Sequence, residues 1–349
     1  MKIIRHIHAR AALIVLAAAA VVGGGVAYAA TRTTTTSRAG TGVVVIETSL
    51  AYQRASAAGT GMVLTPSGEV LTNNHVIAGA TTIRVLVPGA GRAYQARVVG
   101  YDTSADVAVL QLRNASGLTI VKTGDASTLG VGDHVTATGN AGGTGSLTSA
   151  SGTVTALNQA ITVQDEGRSA ERLSGLIETD APLQPGDSGG PLLDDAGRVV
   201  GMDTAASSRF AFTAFSPSQG YAIPIGTALG IADRIVSGRS SGTTHVGDTA
   251  LLGVQVSDTA SSPFGFGDVP AATDGAIVTG VVADGPADAA GLAPGDVITT
   301  LDGQAVTSAS DIQRIVLAHQ PGAKVAITYV DTSGASHTAT VTLASGPPQ

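Results

Sequence analysis

The run Gln184-Pro185-Gly186-Asp187-Ser188-Gly189-Gly190-Pro191 sets one serine among glycines, just ahead of the apolar pair Leu192-Leu193. Glycines on both sides let the backbone turn sharply and let a substrate approach the main chain. Amides on such a turn can converge on one point, which is what stabilising an oxyanion requires. A serine hydroxyl is a weak nucleophile at neutral pH and needs a base within hydrogen-bonding reach. Thr72-Asn73-Asn74-His75-Val76-Ile77 offers that base just after a strand-like run. Ser104-Ala105-Asp106-Val107-Ala108-Val109-Leu110 offers a carboxylate at the start of another. Taken singly, each has a structural reading: a glycine loop, a satisfied histidine, a turn carboxylate. Taken together, they predict acyl transfer through an activated serine.

The chain order His75, Asp106, Ser188 matches the chymotrypsin arrangement and neither the subtilisin nor the α/β-hydrolase order. The hydrolase elbow is also excluded by the residues after Ser188, because Leu192-Leu193 and Val199-Val200-Gly201 continue as apolar strands. The elements that must position these residues are short and β-rich. Val43–Ile46, Gly61–Leu64, Val70–Thr72, Ile83–Val87, Ala96–Gly100, Val107–Leu112, His134–Thr138 and Gly152–Leu157 are separated by turn residues such as Pro66-Ser67-Gly68. Many short strands at regular spacing predict a barrel or sandwich. A helical stretch around Ile231–Val236 closes this unit.

Four segments resemble the bacterial HtrA/DegP family: Leu71–Val76, Ala105–Leu110, Thr179–Leu192 and Gly220-Tyr221-Ala222-Ile223-Pro224. Towards the C-terminus, Gly291-Leu292-Ala293-Pro294-Gly295-Asp296-Val297-Ile298 resembles a PDZ domain of the bacterial, circularly permuted kind, and Ser310–Leu317 is amphipathic with Ile312, Ile315 and Val316 on one face. With this region the likeness covers nearly everything beyond residue 42. It implies a mainly β fold, a chymotrypsin-like double β-barrel followed by a small α+β PDZ domain. The expected organisation is a signal peptide or membrane anchor at 1–30 and a Thr-rich linker at 31–41. Beyond these come a trypsin-like protease domain at 42–236, a linker at 237–249 and a PDZ domain at 250–346.

The resemblance implies roles for named residues. His75 is the base, Asp106 orients it, Ser188 attacks, and the amides of Gly186 and Ser188 form the oxyanion hole. Asp102 competes for the aspartate role, but Asp106 directly precedes the apolar strand, as the family pattern has it. Pro182, six residues before the nucleophile, would floor the pocket for the residue preceding the cut. It carries no acid to neutralise Arg or Lys, so small or medium aliphatic residues are expected there. Tyr221, Ala222 and Ile223 would pair in β fashion with substrate. Leu251-Leu252-Gly253-Val254 would be the carboxylate-binding loop for peptide C-termini, with a core strand bearing a glycine bulge as the plainer reading. Asp187 stands where the family often has Asn and is read as a local structural carboxylate. Asn140–Gly145 lacks the family's usual aromatic, and the resemblance also suggests a homotrimer.

Composition narrows the partners. The 349 residues carry a formal charge of −7 with no Lys/Arg cluster beyond the N-terminus, which argues against nucleic acid. There is no cysteine, hence no thiol nucleophile or thiolate ligand, and the proposed chemistry needs no metal or organic cofactor. The basic stretch Met1–Arg10, an apolar, uncharged run at 11–30 and Ala27-Tyr28-Ala29 read as a cleaved signal peptide or as a retained anchor. Either way the remainder is exported.

The expected function is an exported serine endopeptidase acting on unfolded or damaged envelope proteins. A PDZ-bearing chaperone or stress sensor that mainly binds is the alternative, and keeping all three of His75, Asp106 and Ser188 weighs against it. An esterase using the same triad is disfavoured by the adjoining peptide-binding module.

Overall fold

Closing a sheet of short strands on itself leaves no unpaired edge, and this chain does so twice. The computed structural model describes residues 33–34, 40–88, 91–163, 171–204, 219–258 and 274–349. The segment read as signal or anchor, and most of the Thr-rich stretch, lie outside them. Thr33–Thr34 (β1) precedes a first barrel built from Val43–Leu50 (β2), Ala55–Val63 (β3), Glu69–Thr72 (β4), Thr82–Val87 (β5), Arg92–Asp102 (β6) and Val107–Leu112 (β7). Its order is β6-β5-β2-β3-β4-β7, and the pairing of β6 with β7 closes the ring. The second barrel contains His134–Gly139 (β8), Thr148–Val163 (β9), Glu171–Thr179 (β10), Pro191–Leu193 (β11), Val199–Asp203 (β12) and Gly220–Pro224 (β13). It runs β9-β10-β13-β12-β11-β8 and closes through β8 and β9, with β1 added outside β9.

The side-chain period of two explains the sequence of these strands. In β7, Ala108 and Leu110 point into the first barrel with Val44, Ile46 and Val85. Val107 and Val109 point the other way, into a cluster with Met62, Leu71, Leu193, Met202 and Ile223. A strand buried on both faces reads as a continuous apolar run, as β7 does. The single-turn helix α1 (Asn74–Ile77) comes directly after β4, and α2 (Ile225–Val236) directly after β13. In α2, Ile225, Ala228, Ile231, Ala232 and Ile235 form one apolar stripe over the same two-faced cluster.

The C-terminal region has a separate core of Leu252, Val278, Ile298, Leu301, Ile312, Ile315 and Tyr329 among others. The strands after α2 are Thr244–Val246 (β14), Thr249–Leu251 (β15), Val254–Asp258 (β16), Ala276–Val281 (β17), Val297–Leu301 (β18), Gln304–Ala305 (β19), Lys324–Val330 (β20), Ser336–Thr342 (β21) and Ala344–Gly346 (β22). β16-β17-β18-β20-β21 form one sheet with β19 on β18, and β15 pairs with β22. Helices α3 (Pro286–Ala289) and α4 (Ala309–Leu317) pack on it, and α4 is capped by Ser308, whose hydroxyl accepts from the Asp311 amide.

The expected linker at 237–249 is ordered over its second half. β14 pairs with residues 100–102 of β6, the stretch that β5 leaves uncovered. His245 on β14 is buried against Tyr101, with its ring nitrogens 3.3 Å from the Leu317 carbonyl and 3.1 Å from that of Asp248. Tyr101 meets Thr249 hydroxyl to hydroxyl at 3.2 Å. The tail returns to the first barrel: Gly79 N–H donates to the Pro348 carbonyl at 2.7 Å, and Asn74 Nδ2 donates to the Gln349 carbonyl at 3.0 Å.

Candidate active site

β4 ends at Thr72, and the chain turns through Asn73 into the one-turn helix that carries His75. Asp106 precedes β7 in a left-handed conformation, φ 55°, and Asn73 Nδ2 donates to its carbonyl at 2.9 Å. That turn aims the carboxylate back at α1. Oδ1 accepts the His75 amide at 3.0 Å, and Oδ2 lies 2.8 Å from His75 Nδ1. A carboxylate only accepts, so Nδ1 carries the proton and Nε2 is the basic nitrogen. Oδ2 also accepts the Thr204 hydroxyl at 3.0 Å. The Asp106 side chain is 8% exposed and that of His75 29% exposed, so the carboxylate is held dry while the imidazole reaches the surface.

Ser188, itself buried, arrives from the second barrel on the turn between β10 and β11. Its carbonyl accepts the amide of Thr60 on β3 at 2.9 Å, and the Thr60 carbonyl accepts the Thr72 hydroxyl at 2.7 Å. The serine turn is thereby tied to the end of the strand that leads to His75. Gly189 (φ 82°) has no room for a side chain: a Cβ would stand 2.2 Å from the Thr60 carbonyl oxygen. Gly186 (φ 100°) would place one 2.1 Å from that of Asn140.

The direction of two amides is fixed by peptide planarity, since N–H and C=O of one trans unit point opposite ways. The Pro185 carbonyl accepts Gly142 N–H at 2.8 Å, so the Gly186 amide points away from Gly142. The Asp187 carbonyl accepts Gly190 N–H at 2.9 Å, which turns the Ser188 amide away from Gly190. Asp187 is fully buried, and its Oδ2 folds back to accept the Gln184 amide at 2.8 Å, the geometry of a local structural carboxylate.

The remaining expected residues have varied surroundings. Asp102 is used elsewhere: its carboxylate accepts the Ser104 hydroxyl, the Ala105 amide and the hydroxyls of Thr243 and Thr244. Pro182 lies half-buried on the loop after β10, where neighbouring Leu183 packs over Gly220. The expectation that Tyr221, Ala222 and Ile223 pair with substrate is corrected. β13 is bonded along one edge to β10 and along the other to β12, and all three residues are buried. A strand saturated on both edges cannot accept a third. Burial and the nearby Glu178 raise the Tyr221 phenol above its usual pKa.

Sequence reasoning did not single out Thr60, Thr72, Asn73 or Thr204 as site residues. Thr72 and Asn73 do lie within the His75 motif, whereas no local signal marks Thr60 or Thr204, whose partners lie 126 and 98 residues away.

Around the expected carboxylate-binding loop, Gly253 has φ 82°, the Leu252 carbonyl accepts Ala287 N–H at 3.0 Å, and the Gly253 carbonyl accepts Val282 N–H at 2.9 Å. The amides of Gly253 and Val254 are therefore turned away from α3 and β17. A groove runs between β16 and α4, lined by Leu252, Gln255, Ile312, Gln313 and Val316, with Gln349 at its wall.

Two closed six-stranded barrels followed by this smaller sheet-and-helix unit define a trypsin-like peptidase domain joined to a PDZ domain. Family models with those descriptions match residues 59–202 and 250–343. The chain is 35% identical to the serine protease PepD of Mycobacterium tuberculosis over 86% of this chain and 63% of that protein. It is 32% identical to the periplasmic serine endoprotease DegP of Escherichia coli over 79% of this chain and 54% of that protein. It therefore spans between half and two thirds of the length of these curated relatives. Among solved structures, an HtrA-type protease AlgW with tripeptide is 32% identical, covering 89% of this chain and 96% of that one at a TM-score of 0.49. The chain thus carries a trypsin-like peptidase domain and a PDZ domain, and is similar to serine proteases of the HtrA/DegP kind.

Proposed function

We propose that this protein is an extracytoplasmic serine endopeptidase that cuts unfolded or damaged proteins and captures peptide C-termini with its PDZ domain. The observation that carries the reading is the Asp106 carboxylate clasping both the amide and Nδ1 of His75. In the proposed reaction Ser188 Oγ bonds to the scissile carbonyl carbon while His75 Nε2 takes the hydroxyl proton. The amides of Gly186 and Ser188 receive the oxyanion, and losing such a donor costs about 10²–10³ in kcat. His75 then gives the proton to the leaving amine as the C–N bond breaks. Water attacks the acyl-enzyme, His75 takes its proton, and the serine is regenerated.

With Pro182 near the nucleophile, small or medium aliphatic side chains are the proposed choice before the cut. A peptide library cleaved mainly after Lys or Arg would refute it. Relatives named as periplasmic support an extracytoplasmic location for this chain. The homotrimer belongs to the same proposal, checked by sedimentation at about three times the chain mass. Casein digestion by wild type and by Ser188→Ala tests the whole. Digestion lost in the variant supports the endopeptidase. Casein left intact by wild type, with aggregation suppressed equally by both proteins, would favour the binding alternative.

A further inference from the structure

We propose that the hydroxyl of Thr60 is a positioning group for the oxyanion turn, an inference that rests on the proposed peptidase reading. Thr60 is fully buried on β3, in the first barrel, yet most of its bonds go to the second. Its hydroxyl donates to the Gly186 carbonyl at 2.6 Å and accepts the Asn140 amide at 2.9 Å. Its amide donates to the Ser188 carbonyl at 2.9 Å, and its carbonyl accepts the Thr72 hydroxyl at 2.7 Å.

Four successive carbonyls run through the serine turn, at Pro185, Gly186, Asp187 and Ser188, and each accepts a hydrogen bond. The donors are Gly142 N–H, the Thr60 hydroxyl, Gly190 N–H and Thr60 N–H. Three are backbone groups that any residue would supply. The Gly186 carbonyl alone depends on a side chain.

Gly186 is also a soft point of the turn, because a glycine at φ 100° has no Cβ to restrict rotation about its own bonds. Its amide, one of the two proposed oxyanion donors, is separated from that carbonyl only by those two rotations. Removing the hydroxyl would strand two buried groups, the Gly186 C=O and the Asn140 N–H. Buried polar groups left without partners drive local rearrangement until they find some. The soft bonds of Gly186 are the ones available to turn. Thr60 touches neither substrate nor the reacting atoms in this scheme and acts through Gly186.

The experiment compares wild type, Thr60→Val and Thr60→Ser, each normalised by active-site titration with a fluorophosphonate, on a fluorogenic peptide and with a peptide boronate that mimics the oxyanion. Thr60→Val is expected to lose about 10–100-fold in kcat with KM within about threefold, and to bind the boronate more weakly by a similar factor. Thr60→Ser, which keeps the hydroxyl, is expected to return kcat to within about threefold. A folding defect alone would lower the titrated fraction and leave kcat per titrated site unchanged. Thr60→Val with near wild-type kcat and boronate affinity overturns the inference. So does a Thr60→Ser variant whose kcat per titrated site falls about tenfold or more below wild type, a result read without the valine variant. Wild type that neither cuts peptide nor takes the label refutes the peptidase reading instead.

Discussion

Gly186→Ala probes the oxyanion turn with a single methyl. The new Cβ would lie 2.1 Å from the Asn140 carbonyl oxygen, and real Cβ atoms essentially never approach within 3.0 Å, so about 1 Å must be made up. Asn140 is poorly placed to retreat. Its carbonyl accepts Gly143 N–H, its amide donates to Thr60, and its Oδ1 accepts Gly145 N–H. The backbone of Gly186 must therefore move, and a φ of 100° is itself costly for alanine, by about 1–3 kcal/mol. A misplacement of about 1 Å costs on the order of 10²-fold, and outright loss of an oxyanion donor about 10²–10³-fold. The expected result is kcat lower by about 10²–10³ with KM within about threefold, read on a fluorogenic peptide. Gly175→Ala is the control. That residue sits at a bulge in β10 with φ 74° and open space around it, so backbone strain is present without the collision. It should lose stability but keep its kcat. Gly186→Ala with kcat within threefold of wild type would refute the assignment of this amide to the oxyanion.

Thr204→Val removes one of the donors that hold Asp106 Oδ2 in place against the imidazole. With the carboxylate less firmly oriented, kcat/KM should fall about tenfold; an unchanged kcat/KM would exclude Thr204 from the network. Asp311, at the start of α4, accepts from Thr307 and Ser308 and pairs with Arg314, and those hydrogen bonds hold its carboxyl well below the usual carboxylate range. A depressed folded pKa gives stability that is present above about pH 4 and lost as pH falls further. Denaturation should accordingly find Asp311→Asn less stable than wild type at pH 7, with the gap narrowing at pH 3. A chain ending at Gly346 loses the bonds from Gly79 and Asn74 and clears Gln349 from the PDZ groove. Calorimetry should show tighter binding of a peptide with a free C-terminus, and unchanged affinity would place the tail outside the peptide's path.

Most of the architecture was legible because burial writes itself into local pattern. The doubly apolar run Val107–Leu110 requires cover on both faces, and the two barrels supply it. Ile312, Ile315 and Val316 at helical spacing announce the buried stripe of α4. The reading of Tyr221–Ile223 as a substrate-pairing strand failed for the same reason that others succeeded. Alternation and apolarity identify a strand without telling whether its edges are free. The linker at 237–249 was read from its small polar residues, yet Thr244–Val246 becomes a strand because β5 stops short of the end of β6.

By itself the chain of residues determined the chemistry on offer: a serine between glycines, a histidine after one strand, an aspartate before another, and enough short apolar runs to build barrels around them. Tertiary structure alone decided how Asp106 turns both carboxylate oxygens to His75 and that Asp102 is spent on Thr243 and Thr244. It also decided that Thr60, a residue with no motif of its own, braces the serine turn from the opposite barrel. The physical reason is range. Strand and turn preferences act over a few neighbours, whereas a hydrogen bond spanning 126 positions forms only once two closed sheets have packed face to face.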